Sequence, residues 1–325
     1  MDDLIAEHII THSKDCSLLL VKNGETVISV NKDSRRPLAS IYKLIILLAY
    51  LDQCKKGKLH PKDQVHFRQL KRYWIHWVDP SFMKWYHFVK DKNKIRKDSV
   101  ALSEVVKGML EHSCNAHTDY LLSILGMDVI NEQFNTYAIR DHDPVMPIST
   151  SILVILRDAL QMQHTPFSLA KEADRCFQIM MEGKKIEGLD LNLLNDFDYK
   201  MQCRWSDVLP HATASSYSKL LMKIQQLHKS NKELQEVMGW FEKLRSYRGL
   251  TGGMKLGYTP KVFNVALYAT DKEGNNYQLV YFLNNLTVEQ KQAIELTYND
   301  FNLKMLRDPL FINQLKNQMA HVNIC

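Results

Sequence analysis

Two short strand-like stretches in residues 17 to 30, SLLLVKNGETVISV, flank Asn23-Gly24. Asn-Gly is the pair best suited to a tight turn with positive φ, so this stretch predicts a β-hairpin near the start of the chain. After the turn-like KDSRRP the period changes. LASIYKLIILLAYLDQCKKG is apolar nearly all round and closes on basic residues and Gly57, which predicts a buried helix with Ser40 and Lys43 in its first turn. From about 64 to 220 the pattern is mainly helical. Leu102, Val105, Val106, Met109 and Leu110 fall on one helical face, Tyr120 to Leu125 form an apolar run stopped by Gly126, and 231 to 245 is a further amphipathic candidate. Beyond Gly253 the pattern changes again. FNVALYA, the turn-rich TDKEGNN and YQLVYFL predict an antiparallel hairpin, followed by a helix from about 287 to 306 and an amphipathic tail.

This order predicts an α/β fold of the α+β type: an antiparallel sheet formed by the N- and C-terminal segments and packed by helices, plus an all-helical lobe. The expected boundaries are 1–39 and 246–325 for the α/β lobe and about 40–245 for the helical lobe, within one domain. No internal repeat or low-complexity linker interrupts it.

Composition adds exclusions. With 45% hydrophobic and 24% charged residues over 325 positions, the chain is that of an ordinary folded protein. Its net charge of +6 is spread among many acids and lysines, and the one basic run, Lys90 to Lys97, contains Asp91, so no nucleic-acid partner is expected. MDDLIAEHIITHSK lacks the features of a secretory signal, which points to a cytoplasmic location. Leu44 to Leu51 is too short to span a bilayer. The six cysteines are scattered without metal-ligand spacing, and neither a metal nor a cofactor is expected. No feature specifies an oligomeric state.

The candidate chemistry begins at Ser40-Ile41-Tyr42-Lys43. A hydroxyl and an amine three apart share a helix face, and a lysine desolvated in an apolar helix has a lowered pKa, so Lys43 can take the Ser40 proton. The helix start also favours the developing alkoxide. Ser216 to Lys219 repeats the spacing, but there Thr213 or Ser215 reads as the cap of a helix with Leu220, Leu221 and Ile224 on its apolar face. A second constellation, Ser113-Cys114-Asn115, joins two predicted helices and offers a hydroxyl to relay a proton and an amide to hold the lysine and substrate. His112 and His117 read as structural. The aromatic run around Tyr73, Trp74, Trp77, Phe82, Trp85, Tyr86 and Phe88 suits either an acyl pocket or core packing.

RRPLASIYKL followed by MLEHSCNAHTDYLLSILG is similar to the two signature regions of class A serine β-lactamases and penicillin-binding proteins. The resemblance extends to the opening hairpin and to LTVEQKQAIELTYNDF as the closing helix. It implies Ser40 as the acylated serine, Lys43 as its base, Ser113 as proton shuttle and Asn115 as the motif asparagine, with Cys114 in place of the aspartate usual in β-lactamases. The family's third motif, Lys-Thr-Gly or a variant, falls at Thr251-Gly252-Gly253, and the Met254 N–H would then complete an oxyanion hole with that of Ser40. This register puts Thr251 where the family has a cation; Lys255 shares its strand face, and Lys255-Leu256-Gly257 is the alternative. The family's deacylating glutamate is matched only by Glu187 in EGLDLN, one place out of register and near Asp190. The resemblance implies a serine hydrolase acting on a small-molecule acyl ester or amide through a Ser40 acyl-enzyme. A β-lactamase or cell-wall peptide hydrolase, and a catalytically silent binding protein, are the alternatives.

Overall fold

The computed structural model describes residues 3–76, 78–158, 164–184, 197–238, 241 and 244–322. The chain forms two compact units. Met1–Ile41, His211–Ser230 and Gly239–Cys325 make the first, and Tyr42–Pro210 with Asn231–Met238 make the second.

In chain order the strands are β1 (Cys16–Lys22), β2 (Glu25–Val30), β3 (Arg36–Pro37), β4 (Gln64–His66), β5 (Ser99–Ala101), β6 (His211–Ala212), β7 (Thr251–Thr259), β8 (Val262–Thr270) and β9 (Asn276–Leu283). The first unit holds a five-stranded antiparallel sheet in the order β2-β1-β9-β8-β7, so strands from the two ends of the chain meet where β1 pairs with β9. Asn23 and Gly24 both take positive φ, 52° and 88°, as the tight hairpin turn requires. β3 pairs with β6 in the same unit, and β4 with β5 in the second.

Alternation along the strands gives the sheet two apolar faces. One carries Leu18, Leu20, Val265, Leu267, Leu279 and Tyr281, which form a single core with Ile5 and Ile9 of the Leu4–Thr11 helix and Phe301 and Met305 of the Val288–Arg307 helix. The short first helix, which the sequence pattern does not reveal, is capped by Asp3, whose carboxylate accepts from the Ile5 and Ala6 amides. On the other face lies the Ala214–His228 helix. Its Tyr217 ring meets Phe282 edge-on at 6.1 Å, and Gln225 donates to Ala269 O and Thr270 Oγ1, both at 2.8 Å. These contacts tie residues 211–230 to the sheet rather than to the helical lobe to which the pattern assigned them. Thr213 caps that helix by accepting from Ser216 N at 3.1 Å, so the second Ser-x-x-Lys is one ordinary turn of a buried helix.

Among its described residues the second unit is helical apart from its short strand pair. The Lys43–Lys55 helix is buried continuously from Lys43 to Leu51. Helices Leu102–Leu110, Asn115–Leu125 and Met127–Thr136 pack around it. The aromatic run goes largely to this core: Phe82 and Trp85 are buried, Trp85 stands edge-on to His117 at 4.0 Å, and Trp74 stacks on Phe82 at 4.9 Å. Trp77 lies outside the described residues. Gly108 makes this packing possible, because a Cβ there would come within 2.1 Å of the His117 ring. Among the described residues no helix is long and apolar enough to cross a membrane.

Candidate active site

In the second unit, Lys43, Ser113 and Asn115 come together. Lys43 opens its helix and is 0% exposed. Its Nζ donates to Ser113 O at 2.7 Å, to Asn115 Oδ1 at 2.9 Å and, more weakly, to Ser113 Oγ at 3.4 Å. Burial lowers its pKa to about 8, against the opposing pull of Asp79, Cys114 and Asp119. The acceptors suit a neutral amine. Its two hydrogens match the Ser113 carbonyl and the Asn115 amide, and its lone pair remains for a hydroxyl proton.

Ser113 reaches this position by a costly backbone conformation. Its φ is 59°, in the left-handed region that a residue with a Cβ seldom occupies, and it turns the chain between the Leu102–Leu110 and Asn115–Leu125 helices. The second helix is capped from outside its own segment. Asp79 is buried, and its Oδ2 accepts from the Asn115 and Ala116 amides, both at 2.9 Å, while Ser81 Oγ donates to Oδ1. Asp79 therefore fixes the residue whose side chain holds Lys43. Asp79-Pro80-Ser81 is a turn signal in the sequence, but nothing there shows that its carboxylate reaches a helix 36 residues on. Asp119, one turn along the same helix, caps the Ile148–Arg157 helix through the Ile148 and Ser149 amides at 2.8 and 2.7 Å.

His117 is fully buried, neither ring nitrogen has a hydrogen-bond partner among the described residues, and desolvation holds its pKa well below the ordinary value. It is a neutral aromatic of the core. His112 packs against Phe88 at 5.4 Å between ring centres. Among the described residues no group of three His, Cys, Asp or Glu is arranged to hold a metal ion. Glu187 and Asp190 lie outside the described residues.

In the first unit, Ser40 is half-buried in a 3-10 turn, Ala39–Tyr42, immediately before the α-helix rather than within its first turn. Ala39 has φ 47°, and Ile41 N donates to Leu38 O at 3.1 Å. The turn is anchored to the sheet. Asn264 on β8 donates from Nδ2 to Pro37 O at 2.7 Å, and Gly257 on β7 lies so close that a Cβ would stand 2.5 Å from Leu38 O and 3.0 Å from Ile41 N.

This contact bears on the third motif. Gly257 meets the Ser40 turn, whereas Met254 is three residues back, roughly 10 Å along a strand. The Met254 side chain is packed in the core, where Asn302 Nδ2 approaches its sulfur at 3.5 Å, and Thr251 is exposed at the start of the strand. Lys255, on the face of β7 that carries Gly257, is 2% exposed and donates to Leu256 O at 2.9 Å. β7 is the edge strand. Its hairpin with β8 closes on the Thr259–Val262 pair around Pro260-Lys261, so the alternation of an antiparallel ladder turns the amides of Gly252, Met254, Leu256 and Tyr258 toward the edge. Gly252 is itself locked in the ladder, since a Cβ would fall 2.1 Å from Tyr268 O.

Two predictions follow from this geometry. Asp79→Asn keeps the shape but loses the charge at a helix start, and is expected to destabilise the fold by about 1–2 kcal/mol. It should also lower the Lys43 pKa further, because a stabilising carboxylate is gone; thermal unfolding and NMR titration of labelled lysine side chains measure the two effects. An unchanged Lys43 titration would show that Asp79 serves the helix alone. Gly257→Ala, by contrast, forces a methyl against two backbone atoms of the Ser40 turn and should cost roughly 1–3 kcal/mol. Hydrogen exchange over residues 38–42 should quicken in this variant, and native-like protection there would contradict the contact.

The chain matches the β-lactamase enzyme family over residues 3–187, more than half its length. Among solved structures it is similar to a β-lactamase from Chitinophaga pinensis, with 14% identity, TM-score 0.58, and coverage of 92% of this chain and 97% of that one. A β-lactamase from Sphaerobacter thermophilus is similar at 15% identity and TM-score 0.57, covering 94% and 98% of the two chains. PBP-A is similar at 14% identity and TM-score 0.53, covering 92% and 96%. No match was found among curated proteins. The two-ended antiparallel sheet with its helical packing is thus the fold of the β-lactamases and penicillin-binding proteins, and the chain belongs to the β-lactamase enzyme family.

Proposed function

We propose that the chain is a serine hydrolase that cleaves a small acyl ester or amide through an acyl-enzyme on Ser40, with Lys43 as the base. The observation that carries this reading is the burial of Lys43, whose amine has a pKa of about 8 and two firm neutral acceptors. In the acylation step Ser40 Oγ attacks the carbonyl carbon and its proton passes to Lys43 Nζ. The tetrahedral intermediate then collapses as that proton moves through Ser113 Oγ to the leaving oxygen or nitrogen. Water repeats the sequence against the acyl ester, losing its proton to the neutral amine and releasing the acid. Asn115 keeps the amine in place through its 2.9 Å contact.

For the third motif we infer the register Lys255-Leu256-Gly257, with the Tyr258 N–H and that of Ser40 as oxyanion donors. The close approach of Gly257 to Leu38 and Ile41 supports it, as does the edgeward turn of alternate β7 amides. Lys255 then supplies the cation that the register at Thr251 lacks, while Leu256 offers no hydroxyl where the family motif has threonine.

A fluorophosphonate probe should label Ser40 alone, as intact mass and peptide mapping would show, and Lys43→Ala and Lys43→Arg should both lose labelling, since arginine cannot shed its proton. The base works only when neutral, so the labelling rate should climb with pH and level off above about 8. An adduct at Ser216, or a rate flat from pH 6 to 9, would exclude this mechanism.

Turnover of p-nitrophenyl acetate and butyrate should exceed that of nitrocefin, and a penicillin adduct should be long-lived. A small acyl group leaves the ester open to water, whereas a ring-opened β-lactam shields its own ester, and Leu256 gives the β-lactam carboxylate no hydroxyl. With Ser40→Ala as blank, faster nitrocefin hydrolysis would make the chain a β-lactamase in activity as well as in family. A mutant of PBP-A is known in acyl-enzyme complex with penicillin G, so such an adduct is within the reach of the fold.

A further inference from the structure

The first unit contains a cavity that the proposed chemistry does not use. It has a volume of about 520 Å³, within the range of small-molecule sites. It lies where the ends of β1 and β2, the Asp271–Tyr277 turn and the junction of the two C-terminal helices meet. Its floor is apolar. Leu20, Leu250, Met305 and Ile312 line it from beneath, and all four are buried members of the main core cluster.

The rim is basic. Lys22, Arg248, Lys272, Arg307 and Lys316 line it, and all five are exposed. Three are held in place by contacts that leave their charge uncompensated. Lys22 Nζ lies 5.3 Å over the Tyr277 ring, and Arg307 Nη2 donates to Arg248 O at 2.9 Å. Lys272 lies across Gly249, whose φ of 85° and lack of a Cβ make room for it, since a Cβ would stand 3.1 Å from Lys272 Cε. Among the described residues none of the five forms an ion pair with a carboxylate.

The three acids in the lining do not balance them. Asp271 accepts from Asn275 N, Asn275 Nδ2 and the Tyr277 hydroxyl, and Asp308 accepts from the Leu310 and Phe311 amides. Two of the three carboxylates are therefore committed to holding the turn and the helix start. With five cations against three carboxylates, the lining keeps a net positive charge.

We propose that this cavity is a binding site for an amphipathic anion, a carboxylate-headed acyl chain whose apolar body lies on the Leu20–Ile312 floor and whose headgroup is held by Arg248 and Lys272. An inorganic anion would leave the apolar-lined volume of the cavity unfilled, and an uncharged chain would leave the net positive charge of the rim unmatched. Both halves of the ligand are needed.

Titration calorimetry on the full chain tests this with decanoate, kept below its micellar concentration, beside decanol and inorganic phosphate. Decanoate should bind saturably at one site and raise the Tm, with decanol and phosphate each weaker by about tenfold or more. The exposed double variant R248E/K272E should fold normally and weaken decanoate by a similar factor. Ser40→Ala should bind decanoate as the wild type does, which separates this site from the nucleophile and leaves the result independent of whether Ser40 reacts. Equal binding of decanol, unchanged affinity in R248E/K272E, or loss of decanoate binding in Ser40→Ala would each overturn the proposal.

Discussion

Taking one ammonium group out of water organises the second unit. An unpaired lysine amine in an apolar interior is driven to neutrality or must find donors' counterparts and countercharge, and Lys43 finds both in measured amounts. Two neutral oxygens, Ser113 O and Asn115 Oδ1, take its hydrogens at 2.7 and 2.9 Å. Two carboxylates, Asp79 and Asp119, act on it through the interior without a salt bridge, each spent on capping a helix. A direct ion pair would hold the amine charged. Complete isolation would push its pKa lower still, whereas this arrangement leaves it at about 8.

The same constraint explains why the surrounding helices start where they do. Asn115 can face Lys43 only if its helix begins at that residue, and the helix begins there because Asp79 accepts its first two amides. Ser113 must then turn the chain in a left-handed conformation one residue before the cap. Asp119 passes the device on, starting the Ile148–Arg157 helix from the middle of the first. Its own pKa is raised to about 6 by burial, yet it remains mostly ionised at neutral pH and adds to the field at Lys43. His117, desolvated and near Lys43, stays neutral and packs as an aromatic between Trp85 and Phe82.

The elements of the fold were legible because their periods are strong. The Asn23-Gly24 hairpin, the apolar helix from Lys43, the paired strands beyond Gly253 and the helix near 287 all stand in the sequence pattern and in the structure. Partnership was less legible, since periodicity shows that a face is apolar but not what covers it. The Ala214–His228 helix reads like its neighbours, and only Gln225 and Tyr217 meeting β8 and β9 assign it to the sheet. The Leu4–Thr11 helix is too short to show a period. In the candidate site, Ser40, Lys43, Ser113 and Asn115 are carried by local spacing. Asp79 is not, because its role is a hydrogen bond across 36 residues.

The third motif shows what spacing cannot decide. Thr251-Gly252-Gly253 and Lys255-Leu256-Gly257 each end in a glycine, and both lie on β7. A glycine in a strand interior weakens it, so each must answer to some close approach. Gly252 answers to the neighbouring strand, where a Cβ would meet Tyr268 O. Gly257 answers to Leu38 and Ile41, which flank Ser40. The two glycines look alike in the sequence but have different neighbours, and of the two the second couples the edge of the sheet to the Ser40 turn. Asn264 reinforces that coupling from the next strand, since the residue paired with Gly257 also holds Pro37 O. A displacement of β7 along its length would therefore have to move the turn that carries Ser40, which makes the strand register and the placement of Ser40 one constraint rather than two.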